Sequence, residues 1–115
     1  MRTLPKENNS PAVCYFEGNL ESETVAGFRA LVAAMRPGQN VILDLRQVPF
    51  VDSAGLGALL GSVRRIRESG GDAIICRPRP CVRRALHLTA IDRSVGVATS
   101  IEEAERYFSG MPIAA

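Results

Sequence analysis

Asp52 and Ser53 stand side by side and run directly into Ala54-Gly55-Leu56-Gly57. A carboxylate next to a hydroxyl can serve three chemistries. Either group can cap a helix by accepting a hydrogen bond from its first free amides. The serine can be a nucleophile if a base stands beside it. Its hydroxyl can also be a substrate, accepting a phosphate that brings roughly −1.5 to −2 charges at neutral pH. Capping needs only one of the two residues, so the other is left with chemistry to explain.

The rest of the chain gives a nucleophile little help. Phe50-Val51-Asp52 precedes Ser53, which is not the Gly-x-Ser-x-Gly elbow of hydrolases. A Ser-His-Asp triad has one candidate base, the single histidine His87, whose apolar helix-end setting reads as a partly buried surface residue. No Walker-type phosphate loop is present. A phosphoaccepting Asp of the receiver type would want a later lysine, and the only lysine is Lys6. Catalysis by this chain is not expected.

Composition narrows the classes further. With 115 residues, 46% of them apolar, the chain is expected to form one domain over 1–115 with a real core. A formal charge of +2 does not by itself call for nucleic acid. Eight arginines face three carboxylates between Arg64 and Arg93, but no aromatic residues interleave with them. That run reads as a solvated face or one that steers an acidic protein partner, with no nucleic acid expected. No stretch is long and apolar enough to span a bilayer, and "MRTLPKENNS" has no apolar signal region, so a cytoplasmic protein is expected. Cys14, Cys76 and Cys81 are odd in number and lack metal spacing. They read as buried free thiols of a reducing compartment, with a Cys76–Cys81 redox pair as the alternative.

The elements that position Asp52 and Ser53 follow from periodicity. Residues 1–11 read as a weak strand or a loose arm, and Ala12 to Glu17 as a strand ended by Gly18. Val25, Phe28, Leu31, Val32 and Met35 recur at helical spacing after a polar start at Glu21 to Thr24, and Pro37-Gly38 stops that helix. "NVILDL" is a nearly continuous apolar run, as in a strand buried on both faces. Leu56, Leu59, Leu60, Val63 and Ile66 share one face of the next helix, which Gly70-Gly71 ends. "DAIICR" is a second buried strand. Pro80 suits the first turn of a helix that points Val82, Ala85, Leu86 and Leu88 toward the core. "VGVA" is a short strand. Ser100 and Glu103 form a capping box, and Ile101, Ala104, Tyr107 and Phe108 continue the last helix. This alternation predicts an α/β fold: one largely parallel, mixed sheet with about four α-helices.

In that fold Asp52 and Ser53 lie beyond the carboxyl end of a central strand and at a helix N-terminus. Ligands and partners gather at that edge of open α/β sheets, and the free amides there favour an anion. Ala54, Gly57 and Gly61 then share a stripe off the apolar face, with Arg65 and Glu68 further along it. Two glycines inside a helix cost about 1 kcal/mol each relative to alanine. Close approach of a partner surface offsets that, with tight packing inside the chain as the alternative.

From Asn40 to Phe108 these residues resemble the STAS domain of bacterial anti-sigma factor antagonists. The resemblance is carried by the Asp-Ser pair followed by a small residue and Gly-Leu-Gly, by the order of elements, and by the "HLTAID" helix end. Earlier, "GNLES" puts Glu21 after a Gly-x-Leu turn, where Asp is commoner in the family. The resemblance implies a partner switch. The domain binds an anti-sigma factor that is also a serine kinase and so releases a sigma factor. Phosphorylation of Ser53 ends the binding, and a phosphoserine phosphatase reverses it. Asp52 would hold the geometry or meet the kinase. Gly55, Leu56 and Gly57 would shape the corner and, with Asp52, Ala54, Gly61 and Glu21, bind the partner. The family uses no cofactor, and a monomer or weak dimer is expected. The alternative is a STAS adaptor subunit of a transporter or signalling scaffold.

Overall fold

Among the described residues four short strands, β1 (Ala12–Tyr15), β2 (Val41–Asp44), β3 (Ala73–Cys76) and β4 (Val97–Ala98), form one sheet in the order β1-β2-β3-β4. The structure is a computed structural model that describes residues 10–110. The segment expected as a weak strand or loose arm therefore lies outside the described residues up to residue 9. All three ladders are parallel, with Ala12 opposite Val41, Val41 opposite Ala73, and Ile75 opposite Val97. The helices are α1 (Val25–Ala33), α2 (Ser53–Glu68), α3 (Pro80–Leu88) and α4 (Ile101–Phe108), with a 3-10 turn at Ile91–Arg93.

Sheet order and chirality decide where the helices go. Parallel neighbours in sequence order need crossovers of one hand, so α1, α2 and α3 all fall on the same face. Phe28 and Val32 of α1, Leu59, Val63 and Ile66 of α2, and Val82 and Leu86 of α3 are buried there against Val41, Leu43, Ala73 and Ile75. Strand residues one step out of phase, Ile42, Ile74, Cys76 and Ala98, face the other way and meet Ala104, Ile101, Tyr107 and Phe108 of α4. That last helix follows the final strand and connects no strand pair, so it is free to cover the second face. β2 and β3 are buried at every position, as their unbroken apolar runs require.

Several local expectations shift by a residue or a face. β1 ends at Tyr15 rather than Glu17, because Phe16 leaves the ladder to meet Phe28 edge-on at 5.5 Å. α1 ends at Ala33, and the amides of Ala34 and Met35 close onto Ala30 and Val32 before the turn at Gly38, where φ is +81°. Leu88 is 71% exposed, not in the core. Leu86 takes the inward position, and a residue two further on points about 200° away around the helix. His87 is exposed too, its ring nitrogen 3.1 Å from the Asp92 carboxylate. In the capping box the Glu103 amide donates to Ser100 Oγ at 3.0 Å, as expected. The Glu103 carboxylate, however, reaches one residue further back and accepts from the Thr99 amide at 2.6 Å and the Thr99 hydroxyl at 3.2 Å.

The cysteines divide. Cys14 and Cys76 are buried, and loss of solvent pushes both thiols up to about 11, so they stay protonated and inert at neutral pH. Cys81 corrects the expectation of three buried thiols. It is exposed in the first turn of α3, about 100° around the helix from the buried Val82, and its thiol donates to the Pro49 carbonyl at 2.9 Å. All three are free.

Candidate functional site

Beyond β2 the chain does not go straight into α2. Val48 and Val51 are both buried and pull the connection onto the core. Alongside it runs the segment after β1. The Leu20 amide donates to the Phe50 carbonyl at 2.9 Å, the Asp52 amide donates to the Leu20 carbonyl at 3.2 Å, and Leu20 and Val51 form a parallel bridge. Leu20 itself is fully buried, so this zipper is anchored by apolar burial as well as hydrogen bonds. It brings Glu21 and Ser22 to the edge of the Asp52-Ser53 corner. The Glu21 backbone is fixed by Thr24, whose hydroxyl accepts from the Glu21 amide at 3.0 Å and whose amide donates to the Glu21 carbonyl at 2.8 Å.

Asp52 is the N-cap of α2. Its backbone is extended, at φ −103° and ψ −175°, and one carboxylate oxygen accepts from the Gly55 amide at 2.8 Å. The other oxygen accepts from the Ser22 amide at 3.3 Å, which ties the two loops together. Both carboxylate oxygens are thus occupied by backbone donors. Ser53 is the first residue of α2 and is exposed. Its hydroxyl has no hydrogen-bond partner among the described residues. One residue of the pair does the capping and the other is left free, which answers the question that the pair raised.

The glycines next to it are not equivalent. Gly55 is buried, and a Cβ there would lie 2.0 Å from the Leu20 carbonyl oxygen and 2.7 Å from a Val51 methyl. Only glycine lets α2 start this close to the Leu20 loop. Gly55 therefore shapes the corner from inside. Leu56 is partly buried and packs on the core. Gly57 and Gly61 are exposed, and a Cβ at either would meet nothing within 4 Å. Packing against the described residues does not explain those two glycines. The structure brings together Asp52, Ser53, Ala54 and the Glu21 loop, and it sets Gly57 and Gly61 further along the same helix on an open surface.

One feature near the site is not apparent from periodicity. Asp44, the last residue of β2, is 2% exposed, and its carboxylate accepts from the Arg46 amide at 3.0 Å and pairs with the Arg77 guanidinium just beyond β3. The hydrogen bond from Arg77 to this carboxylate raises the guanidinium pKa further above its ordinary value, against the opposing effect of burial. Arg77 sits at φ +55°, a left-handed conformation that a non-glycine residue adopts only under constraint. The pair locks the carboxyl ends of the two central strands together. The only sequence signal is an Asp closing an apolar strand.

No helix among the described residues is long and apolar enough to cross a membrane. Residues 4–104 match the STAS domain family. An anti-sigma F factor antagonist of Paenibacillus polymyxa is 31% identical over 74 residues, a match that covers 58% of this chain and 63% of that relative's length. Among solved structures, the anti-sigma factor antagonist SpoIIAA in its unphosphorylated form superposes with a TM-score of 0.70 at 23% identity, over 90% of this chain and 92% of that one. The SulP transporter STAS domain from Vibrio cholerae gives 0.72 at 24% identity, over 94% and 85%. These two likenesses establish the fold alone, while the match over residues 4–104 establishes the family. The chain belongs to the STAS domain family.

Proposed function

We propose that this protein is an anti-sigma factor antagonist, a single STAS unit that binds an anti-sigma factor with serine kinase activity and is switched off by phosphorylation of Ser53. One observation carries the reading. Asp52 performs the capping, and the Ser53 hydroxyl is left exposed and without a partner at a helix start. In the transfer, Ser53 Oγ forms a bond to the γ-phosphorus of ATP held by the kinase, the bond to the β-phosphate oxygen breaks, and ADP leaves. The hydroxyl proton goes to a base of the kinase. Asp52 acts here as a positioning residue: its two oxygens accept from the Gly55 and Ser22 amides and hold the corner in place. A phosphoserine phosphatase resets the protein, which has no reaction of its own and works in the cytoplasm. The likeness to transporter STAS domains is one of fold and does not favour an adaptor role.

The test is direct. The protein is incubated with ATP and, one at a time, each purified anti-sigma factor of the ATPase type from the same genome, and the phosphate is located by mass spectrometry. One kinase should label Ser53 as the major site, and Ser53→Ala should abolish uptake. Labelling that persists in the Ala variant, at Ser62 or Ser69 for instance, overturns the proposal.

A further inference from the structure

Between α1 and α2 runs a narrow groove of about 170 Å³ lined by Arg29, Val32, Gly61, Ser62 and Arg65. Three features of it bear on what it could hold. Ser62 is only 5% exposed, yet its hydroxyl makes no hydrogen bond among the described residues. The hydroxyls of Ser69, Ser94 and Ser109 all donate back to a carbonyl three residues earlier, and the other buried polar side chains, Asp44 and Glu103, are both bonded. The Ser62 hydroxyl opens onto the groove: among the described residues the buried side-chain nitrogen or oxygen without a partner is Arg77 Nε, not Ser62 Oγ, so water satisfies it until an acceptor takes that place. Secondly, Arg29 and Arg65 are exposed and have no carboxylate within ion-pair distance among the described residues, whereas Arg67 and Arg77 do. Thirdly, Gly61 leaves its part of the groove without a side chain and open to solvent.

We infer that this groove is a docking slot for an acidic side chain, a Glu or Asp presented by the anti-sigma factor. Two guanidinium groups and a hydroxyl donor lining one groove match the acceptor set of a carboxylate. Size decides between a protein side chain and a free ligand. Small-molecule sites commonly measure about 300–1,000 Å³, well above this one. A side chain that arrives on a larger surface needs only the slot. Gly57 and Gly61 clear the approach to it along the same helix that begins at Ser53. Naming the anti-sigma factor as the source rests on the function proposed above, while the chemistry of the slot does not.

Two arms keep the two readings apart. In the first, the isotope-labelled full chain is titrated by NMR with a short Ala-rich helical peptide that carries a central Glu. The amides of Gly61 and Ser62 and the side-chain Nε–H groups of Arg29 and Arg65 should shift, Arg65→Glu should weaken the response at least ~10-fold, and a peptide with Gln for Glu should give none. Shifts of equal size at Arg83 and Arg84 on α3, an equal response to a single-stranded oligonucleotide of matched charge, or no shift at Gly61 and Ser62 each overturn the slot. In the second arm, Arg65→Glu and Gly61→Leu are titrated against the anti-sigma factor that phosphorylates Ser53. Each should lower affinity at least ~10-fold with the melting temperature unchanged, and Arg83→Glu should not. Normal affinity in both variants overturns the slot and leaves Ser53 phosphorylation standing. Should no anti-sigma factor bind the unmodified protein, the functional reading falls and the peptide arm alone decides the slot.

Discussion

Gly55 and Gly57 are two residues apart on one helix and should respond to the same substitution with opposite signs. At Gly55 a Cβ would be 2.0 Å from the Leu20 carbonyl, a backbone atom that cannot swing away. Gly55→Ala should destabilise the protein by about 1–3 kcal/mol, the usual range for overpacking, despite the better helix propensity of alanine. At Gly57 nothing lies within 4 Å, so Gly57→Ala should stabilise by about 0.5–1 kcal/mol. Urea midpoints of the two variants check both signs together. Asp52→Ala removes the cap from the Gly55 amide and the tie to Ser22, and should cost about 0.5–2 kcal/mol without exposing new apolar surface. The thiols offer a simpler test. Cys81 should react with a thiol reagent in the native protein, while Cys14 and Cys76, both pushed up to about 11, should react only after denaturation. Labelling of all three at equal native rates would contradict the burial described here.

Elements are joined across the sheet by a small polar cluster. The Tyr107 hydroxyl of α4 donates to Asp72 at 3.0 Å, and Arg67 of α2 donates to the same carboxylate at 2.8 Å, just before β3 begins. Burial alone would raise the Asp72 pKa, but the bonds from Arg67, the Ala73 amide and Tyr107 outweigh it and hold the carboxyl below its ordinary value. A carboxyl depressed by folding contributes stability above its unfolded pKa, and that contribution is lost as pH falls through the depressed folded value. Tyr107→Phe removes one of the donors. It should lower stability at neutral pH by about 0.5–1.5 kcal/mol, since the carboxylate is partly screened by solvent, and the difference from the unmodified protein should shrink below pH ~4 as Asp72 takes up its proton. Denaturant titrations at neutral and acid pH measure this, and a difference independent of pH would show that Tyr107 acts through packing alone. α4 is thereby anchored at both ends, by Ser100 and Glu103 at its start and by Tyr107 near its finish.

For the molecule as a whole, phosphorylation of Ser53 should act on binding and leave folding alone. The Ser53 hydroxyl holds no internal bond among the described residues, so its modification breaks none. The added charge of roughly −1.5 to −2 meets the helix N-terminus, which favours it by about 0.3–1 kcal/mol at an exposed position, while Asp52 beside it repels. The two local effects partly cancel. A docked partner that offers no cation would instead have to bury the charge, at about 2–5 kcal/mol. The phosphorylated protein should therefore melt within a few degrees of the unmodified one and bind the anti-sigma factor at least ~30-fold more weakly. Calorimetric melting and partner titration, run in parallel with and without the phosphate, check both halves. Large destabilisation with unchanged affinity per folded molecule would place the switch in folding.

Much of this protein is written in patterns that act over a few residues. The unbroken apolar runs of β2 and β3, the 3.6-residue spacing in α1 and α2, Pro80 at the first position of α3 and Ser100 at the start of α4 are local signals, and each element formed where its signal lay. So did the Asp52-Ser53 corner, since a cap and a helix start are set by adjacent residues. What the chain alone left open depends on which distant segment arrives. Helical spacing puts Gly57 and Gly61, but not Gly55, on the stripe off the apolar face; that nothing but glycine fits at Gly55 is decided by the Leu20 loop, some thirty positions earlier, lying against it. Leu88 is apolar and next to the core helix face, yet the direction of Leu86 turns it to solvent. Asp44 reads as one polar residue closing a strand until Arg77 meets it across β2 and β3. Ser62 reads as a helix serine until α1 lays Arg29 and Val32 beside it and makes it part of a groove wall. Periodicity fixes which way a side chain leaves its own element, and only the packing of elements decides what it meets.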